Sequence, residues 1–255
     1  RLDDELILDF EPGLLDAVTE RLESHVVADQ VELIDASPHF GLLSLQGPKT
    51  ADALASLGLA LPGEPFAHAK SPLDGLGEVY VMNNGRYGTA GCDLYISTEH
   101  LGEAAARLAK AVEGQGGRLA GWQATEIARV EAGIPRFGID MDNKTLPPEA
   151  GLETRAISYT KGCYIGQEII ARIRTYGRVN RTLVGYRLEA DLAPGTQLTD
   201  DSGKTVGTLT SVIESPRFGP IALGLAKRGS ETSGQVLTSR EPVQGQATVA
   251  EIPFR

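Results

Sequence analysis

Lys161-Gly162-Cys163-Tyr164-Ile165-Gly166-Gln167-Glu168 holds the densest set of reactive residue types in this chain. Cys163 stands two residues from an ammonium group and just ahead of Gly166–Ile170, a segment able to start a helical turn. A nearby cation and a helix N-terminus each favour thiolate over thiol. Gly162 and Gly166 leave little side chain beside the sulfur, so another molecule could approach it closely. The same residues also suit a small buried cysteine in a strand–turn–helix junction, because free cysteine commonly packs as a small apolar residue.

A second block runs from Arg129 to Asp142 as R-V-E-A-G-I-P-R-F-G-I-D-M-D, and P-P-E-A-G-L follows at 147–152. Glu131 falls near the end of a predicted helix, where the helix dipole disfavours a carboxylate. One carboxylate accepts two parallel hydrogen bonds from an amino-pyrimidine edge, the geometry it also adopts with Arg. The alternative is an ordinary ion pair with Arg129 or Arg136.

Composition narrows the setting. The 255 residues carry a net charge of −10, with 41% hydrophobic and 23% charged residues, a globular mixture rather than that of a disordered chain. So acidic a chain is a poor general binder of nucleic acid. One stretch departs from the average. Between Arg155 and Arg187, seven basic residues (Arg155, Lys161, Arg172, Arg174, Arg178, Arg181, Arg187) face the single acid Glu168, a local +6 that leaves −16 on the other 222 residues. It reads either as a solvated basic face or as a site for a carboxylate or phosphate, which Arg forks match.

Cys92 and Cys163 are the only cysteines, with no disulfide framework and no CxxC pair, so a reducing, cytoplasmic setting is expected. The four histidines are scattered, and two cysteines fall short of the four thiolates of a self-held iron–sulfur cluster, so no bound metal is expected. No window approaches the roughly 18 consecutive apolar residues of a membrane helix. No signal or transit peptide is expected, and a chain opening on Arg1 rather than Met is expected to start inside its natural protein. The glycine-rich Gly114–Gly121 lacks the GxGxxG spacing, and neither a Walker sequence nor a GxSxG elbow occurs.

These residues need a scaffold. Glu5–Phe10 and Gln30–Ile34 read as strands around a helix at 14–23. Gly41–Leu45 reads as a strand and Lys49–Leu57 as a helix; Glu78–Met82 and Cys92–Ile96 follow as strands, with helices at 101–112 and 125–132. After about Thr182 the pattern changes to short strands at 183–188, 197–198, 205–213, 221–226 and 247–252, parted by Gly, Pro and Asp-Ser-Gly turns. A small barrel or sandwich is expected there. The chain therefore divides into an α+β body, 1–181, and a β module, 182–255.

K-G-C-Y-I-G-Q-E, R-V-E-A-G-I-P-R-F-G-I-D-M-D and P-P-E-A-G-L together resemble the YgfZ-type folate-binding family, relatives of the glycine cleavage T-protein (aminomethyltransferase). Leu45-Gln46-Gly47-Pro48, Arg86–Tyr95 and Ala222-Leu223-Gly224 extend the resemblance over nearly the whole chain, from about Leu6. It implies an α+β fold, ferredoxin-like lobes around a central folate channel, with a C-terminal β-barrel. It implies tetrahydrofolate or a derivative as the bound group, Glu131 on the pterin and Tyr87 in a segment of aromatic contacts. Arg172 and Arg174 are, on charge, candidates for the folate tail or for a partner's anionic group. Cys163 and Lys161 would carry the thiol chemistry, within a motif completed by Gly162, Tyr164, Gly166, Gln167 and Glu168.

Two departures from the T-protein pattern matter. Its aspartate on an early strand would lie upstream of Arg1, and its counterpart of the Lys161 segment has no cysteine. Both point toward the YgfZ branch: an accessory protein for iron–sulfur cluster assembly or repair, acting indirectly on tRNA modification. Its partners would be folate and iron–sulfur client or assembly proteins, with no direct nucleic-acid or membrane binding. The alternative is folate-dependent aminomethyl transfer.

Overall fold

In a computed structural model, residues 5–28, 30–177 and 179–255 are described, in two compact units that meet in sequence at Leu119 and Ala120. Arg178 and the chain's first residue, Arg1, lie outside the described residues.

The first unit contains α1 (Leu15–Glu23), β1 (Phe40–Gln46), α2 (Thr50–Ala55), β2 (His68–Leu73), β3 (Gly77–Asn83), β4 (Gly91–Ser97) and α3 (Leu101–Gly114). The strands form one antiparallel sheet in the order β1-β4-β3-β2. Alternation on β3 buries Val79 and Val81, which join Leu45, Leu94 and Ile96 from the neighbouring strands in one core. Leu54 of α2 and Leu108 of α3 close it. β2 contains Pro72, which breaks a strand pattern in sequence; as the outer strand of the sheet it tolerates the missing N–H.

Two expectations fail in this unit. Glu5–Phe10 and Gln30–Ile34 form no strand, although α1 lies between them as expected. An apolar run becomes a strand only when its backbone groups find a partner strand, and none does so among the described residues. Leu6 and Ile34 are accordingly more than 70% exposed (71% and 72%), and α1 buries none of its residues.

The second unit contains α4 (Trp122–Glu131), α5 (Glu153–Ala156) and α6 (Gln167–Tyr176), then β5 (Arg181–Leu188), β6 (Gln197–Thr199), β7 (Thr205–Ser215), β8 (Gly219–Lys227), β9 (Val236–Ser239) and β10 (Gly245–Ala250). These six strands close into an antiparallel barrel, β10-β5-β8-β7-β6-β9. Inward residues such as Leu198, Leu209 and Leu237 fill it, while Val130 of α4 packs with Leu183, Ile221, Leu223 and Phe254 in a second cluster. The expected mixed α/β architecture with a C-terminal barrel is what the chain adopts.

Candidate functional site

Glu131 is the last residue of α4. The helix stops there because Gly133 takes a left-handed turn (φ +69°) directly beneath Ile252, a position where a Cβ would collide with that side chain. The Glu131 carbonyl accepts the Phe254 N–H at 2.9 Å, so the C-terminal residues strap the helix end.

The Glu131 carboxylate meets the tip of the β7–β8 hairpin rather than Arg129 or Arg136. Ser215 Oγ donates to Oε1 at 2.5 Å, and Arg217 Nη1 lies 3.4 Å from Oε2. The Ser215 hydroxyl also accepts the backbone N–H groups of Arg217 (3.1 Å) and Phe218 (3.0 Å). A hydroxyl has one proton, and here that proton points at Glu131, which must therefore receive it as an acceptor. Oε1 thus accepts from Ser215, while Oε2 faces the Arg217 guanidinium.

Arg129 has another task. Its side chain is 7% exposed and donates to Glu126, to the Ile134 carbonyl, to Ser211 Oγ and, at 2.7 Å, to Asp140. Asp140, fully enclosed, accepts four donors: Arg129 Nη1, the Arg136 N–H, Thr210 Oγ1 and Ser211 Oγ. Successive side chains on a strand normally point to opposite faces. The register of β7 against β8 shifts between Leu209 and Ser211, and this bulge lets Thr210 and Ser211 reach the same carboxylate oxygen. In sequence, only the D of R-F-G-I-D signals this cluster; nothing local marks Thr210 or Ser211.

The other motif glutamate, Glu149 of P-P-E-A-G-L, is a brace. It is buried, accepts Arg181 Nε at 3.0 Å and the Leu146 N–H, and its carbonyl holds the Leu183 N–H of β5.

The Lys161–Glu168 loop presents Cys163 exposed. Lys161 lies over the Tyr164 ring, 5.1 Å from its centroid, and its N–H donates to Ser158 Oγ. Gln167 closes the loop: its N–H donates to the Tyr164 carbonyl and its Oε1 accepts the Tyr164 N–H, both at 3.2 Å. Gly166 takes φ +89° to turn the chain into α6, and Glu168 sits in the first turn, where the dipole favours an acid. Arg172 and Arg174 are both exposed on α6; Arg174 stacks on Tyr159 at 4.0 Å. The basic stretch is therefore dispersed, with Arg181 on Glu149 and Arg187 on the Arg255 carbonyl and the rings of Phe218 and Phe254.

Tyr87 belongs to the first unit, half-buried in the turn between β3 and β4. Gln46 fastens that turn: its Oε1 accepts the Arg86 N–H and its Nε2 donates to the Asn84 carbonyl, both at 2.9 Å. The Arg86 guanidinium pairs with the fully buried Asp93 at 2.8 Å, and Asn84 donates to the same carboxylate at 2.6 Å. Burial opposes the Arg86 charge, yet its bonds to Asp93 and Asp9 hold its pKa above the ordinary arginine value.

Cys92 and Tyr95 share β4 with Asp93. Burial first, then the Asp93 charge, pushes the Cys92 thiol from 9.0 up to about 12; burial likewise raises the Tyr95 phenol to about 12. Both folded values exceed the unfolded ones, so the stabilisation is complete below about pH 9 and is lost as the pH rises toward 12. Thermal unfolding of the first unit should therefore move down progressively above pH 9, and a flat profile to pH 11.5 would contradict this. At pH 8 a thiol reagent should modify Cys163 and leave Cys92 untouched until denaturant is added.

No helix among the described residues is long and apolar enough to cross a membrane, and no His, Cys, Asp or Glu group among them is arranged to hold a metal. Residues 3–161 match the family model described as the GCVT N-terminal domain, more than half of the chain. The chain belongs to the GCVT N-terminal domain family. An aminomethyltransferase of Rubrobacter xylanophilus is 30% identical over 90% of the chain and 61% of its own length. One from Synechococcus is 30% identical over 99% of the chain and 73% of its own length. A chloroplastic protein of Arabidopsis thaliana that carries the name of a transferase is 31% identical over 98% of the chain and 56% of its own length. The chain thus spans 56% and 61% of the Arabidopsis and Rubrobacter relatives. The crystal structure of the glycine cleavage system aminomethyltransferase T from Bartonella henselae shares the fold, with a TM-score of 0.79 at 23% identity over 95% of this chain and 66% of that one.

Proposed function

We propose that this GCVT-family chain binds a reduced folate through Glu131 and acts, as in the YgfZ branch, as an accessory factor for iron–sulfur enzymes, with Cys163 as its working thiol. The observation that carries the folate reading is the enclosed Glu131 carboxylate at the end of α4, held by Ser215 on one oxygen with an exposed arginine on the other. Two carboxylate oxygens suit the paired N–H donors of an amino-pyrimidine edge. Bound tetrahydrofolate would supply ring nitrogens able to carry a one-carbon unit. The chain's own contribution is to orient the pterin edge. The proposed roles of Tyr87, as an aromatic contact, and of Arg172 and Arg174, as cations for the tail or for a partner, rest on the resemblance and on charge.

The thiol role is supported by the contrast between the two cysteines, Cys163 exposed in the motif loop and Cys92 enclosed in the sheet. A second reading, folate-dependent aminomethyl transfer, is favoured by the names of the relatives. Calorimetry with tetrahydrofolate tests the shared premise. Glu131→Ala should weaken binding by about ten- to a hundred-fold, the worth of hydrogen bonds to a charged group; unchanged affinity removes Glu131 from the site. In a strain lacking the gene, full restoration of iron–sulfur enzyme activity by Cys163→Ala overturns the thiol role. Formation of methylene-tetrahydrofolate from an aminomethylated carrier would favour the second reading.

A further inference from the structure

We infer that Arg217 is a displaceable occupant of the Glu131 carboxylate, and that a ligand's amino-pyrimidine edge takes its place on Oε2 while Ser215 keeps Oε1. This deepens the reading of Glu131 as the pterin carboxylate and rests on it.

The two contacts differ in every respect that decides which one yields. Ser215 is 2% exposed, its bond to Oε1 is 2.5 Å, and its hydroxyl is fixed from behind by two backbone N–H groups of the hairpin turn. Releasing Glu131 would leave a buried hydroxyl proton without an acceptor. The Arg217 side chain is 70% exposed, and its guanidinium lies 3.4 Å from Oε2 and 4.7 Å from the centre of the Phe218 ring. Letting go returns its charge to water at little cost, since exposed ion pairs contribute only about 0.2–1 kcal/mol.

Glu131 itself is only 14% exposed on its side chain. An enclosed carboxylate without a countercharge is unfavourable, and the arginine supplies one while no ligand is bound. One N–H of a planar donor fork replaces the arginine on Oε2, and the other takes the second acceptor site of Oε1 beside Ser215. The ligand class is therefore a planar amino-heterocycle able to donate to a carboxylate, and the occupant lowers the affinity of every such ligand by the same modest factor.

Calorimetry on the whole chain separates the possibilities, with tetrahydrofolate and with tetrahydropterin, which has the fork but no glutamyl tail. Arg217→Gln should bind both ligands about two- to five-fold tighter than wild type, the worth of the exposed pair. Arg217→Lys, which keeps the charge, should stay within about two-fold of wild type. The Gln gain should shrink at 0.5 M salt, where the pair is screened in the wild type as well. If Glu131→Ala weakens binding but Arg217→Gln leaves it unchanged or weaker for both ligands, Arg217 is no competitor and the inference is overturned. Weakening confined to tetrahydrofolate assigns Arg217 to the tail, and this also overturns it. If Glu131→Ala changes nothing, the pterin reading of Glu131 fails first, and the inference goes with it.

Discussion

Asp140→Ala should cost the second unit about 3–5 kcal/mol of unfolding free energy, a large share of what a domain has. Asp140 is fully enclosed and accepts from Arg129, from the Arg136 backbone, and from Thr210 and Ser211 on the bulge of β7. Removing it leaves a guanidinium that is only 7% exposed beside the Ser211 hydroxyl and the Arg136 N–H, which have lost their acceptor, while Thr210 can still donate to the Leu223 carbonyl. Glu126 still pairs with Arg129, so the charge is not wholly orphaned, which places the loss in this range rather than above it. Asp140→Asn should fall between wild type and the alanine variant, because one carbonyl oxygen can still accept from the bulge while its NH2 opposes Arg129. Trp122, the sole tryptophan, begins α4 and stacks on Arg136 at 4.5 Å, so its fluorescence in a urea titration reports the unfolding of this region. A loss below about 1 kcal/mol, the worth of an ordinary hydrogen bond, would show that the cluster is not the fastening described. Because Asp140 anchors the turn that follows Glu131, ligand affinity should fall together with stability.

Asp93→Ala should destabilise the first unit by about 2–4 kcal/mol, somewhat less, because Arg86 keeps partial access to water. Asp93 has no solvent exposure and holds both Arg86 and Asn84, the two residues that define the turn carrying Tyr87. Without it the Arg86 guanidinium can swing outward toward Asp9, but Asn84 Nδ2 loses its acceptor inside the sheet. Hydrogen exchange read by mass spectrometry over 84–97 should show faster exchange in the turn and in β4, while peptides from the barrel stay unchanged. Uniform protection across both regions in the variant would contradict the assignment. Arg86→Lys should not mimic wild type, because an ammonium cannot reproduce the fork on Asp93.

Local pattern carried much of the fold. The alternation at 78–82 and 92–96, the periodic apolar residues of 101–112 and the short strands after 182 correspond to β3, β4, α3 and most of the barrel. Where reading failed, pairing was the cause. Leu6, Leu8, Val31 and Ile34 have strand-like composition but no partner strand among the described residues, and β9 has only four residues to announce itself. A strand is a relation between two segments, and one segment cannot reveal whether the other is present.

The site divides in the same way. The motif blocks named Cys163, Glu131 and the glycines around them, because residue type and near spacing are local properties. The sequence also suggested that Gly166 opens a helix and that α4 ends near Glu131, since glycine's tolerance of positive φ is written in its own residue. It could not reveal which groups share a carboxylate. Nearness in sequence offers Arg129 or Arg136 as the ion-pair alternative for Glu131, yet its partners stand 84 and 86 residues away on a hairpin. Arg129 turned instead to an aspartate that two neighbouring hydroxyls reach only because β7 bulges. Side-chain charge and hydrogen-bonding capacity are fixed by the residue, but the partner that satisfies them is chosen by chain closure, and the tertiary structure alone makes that choice.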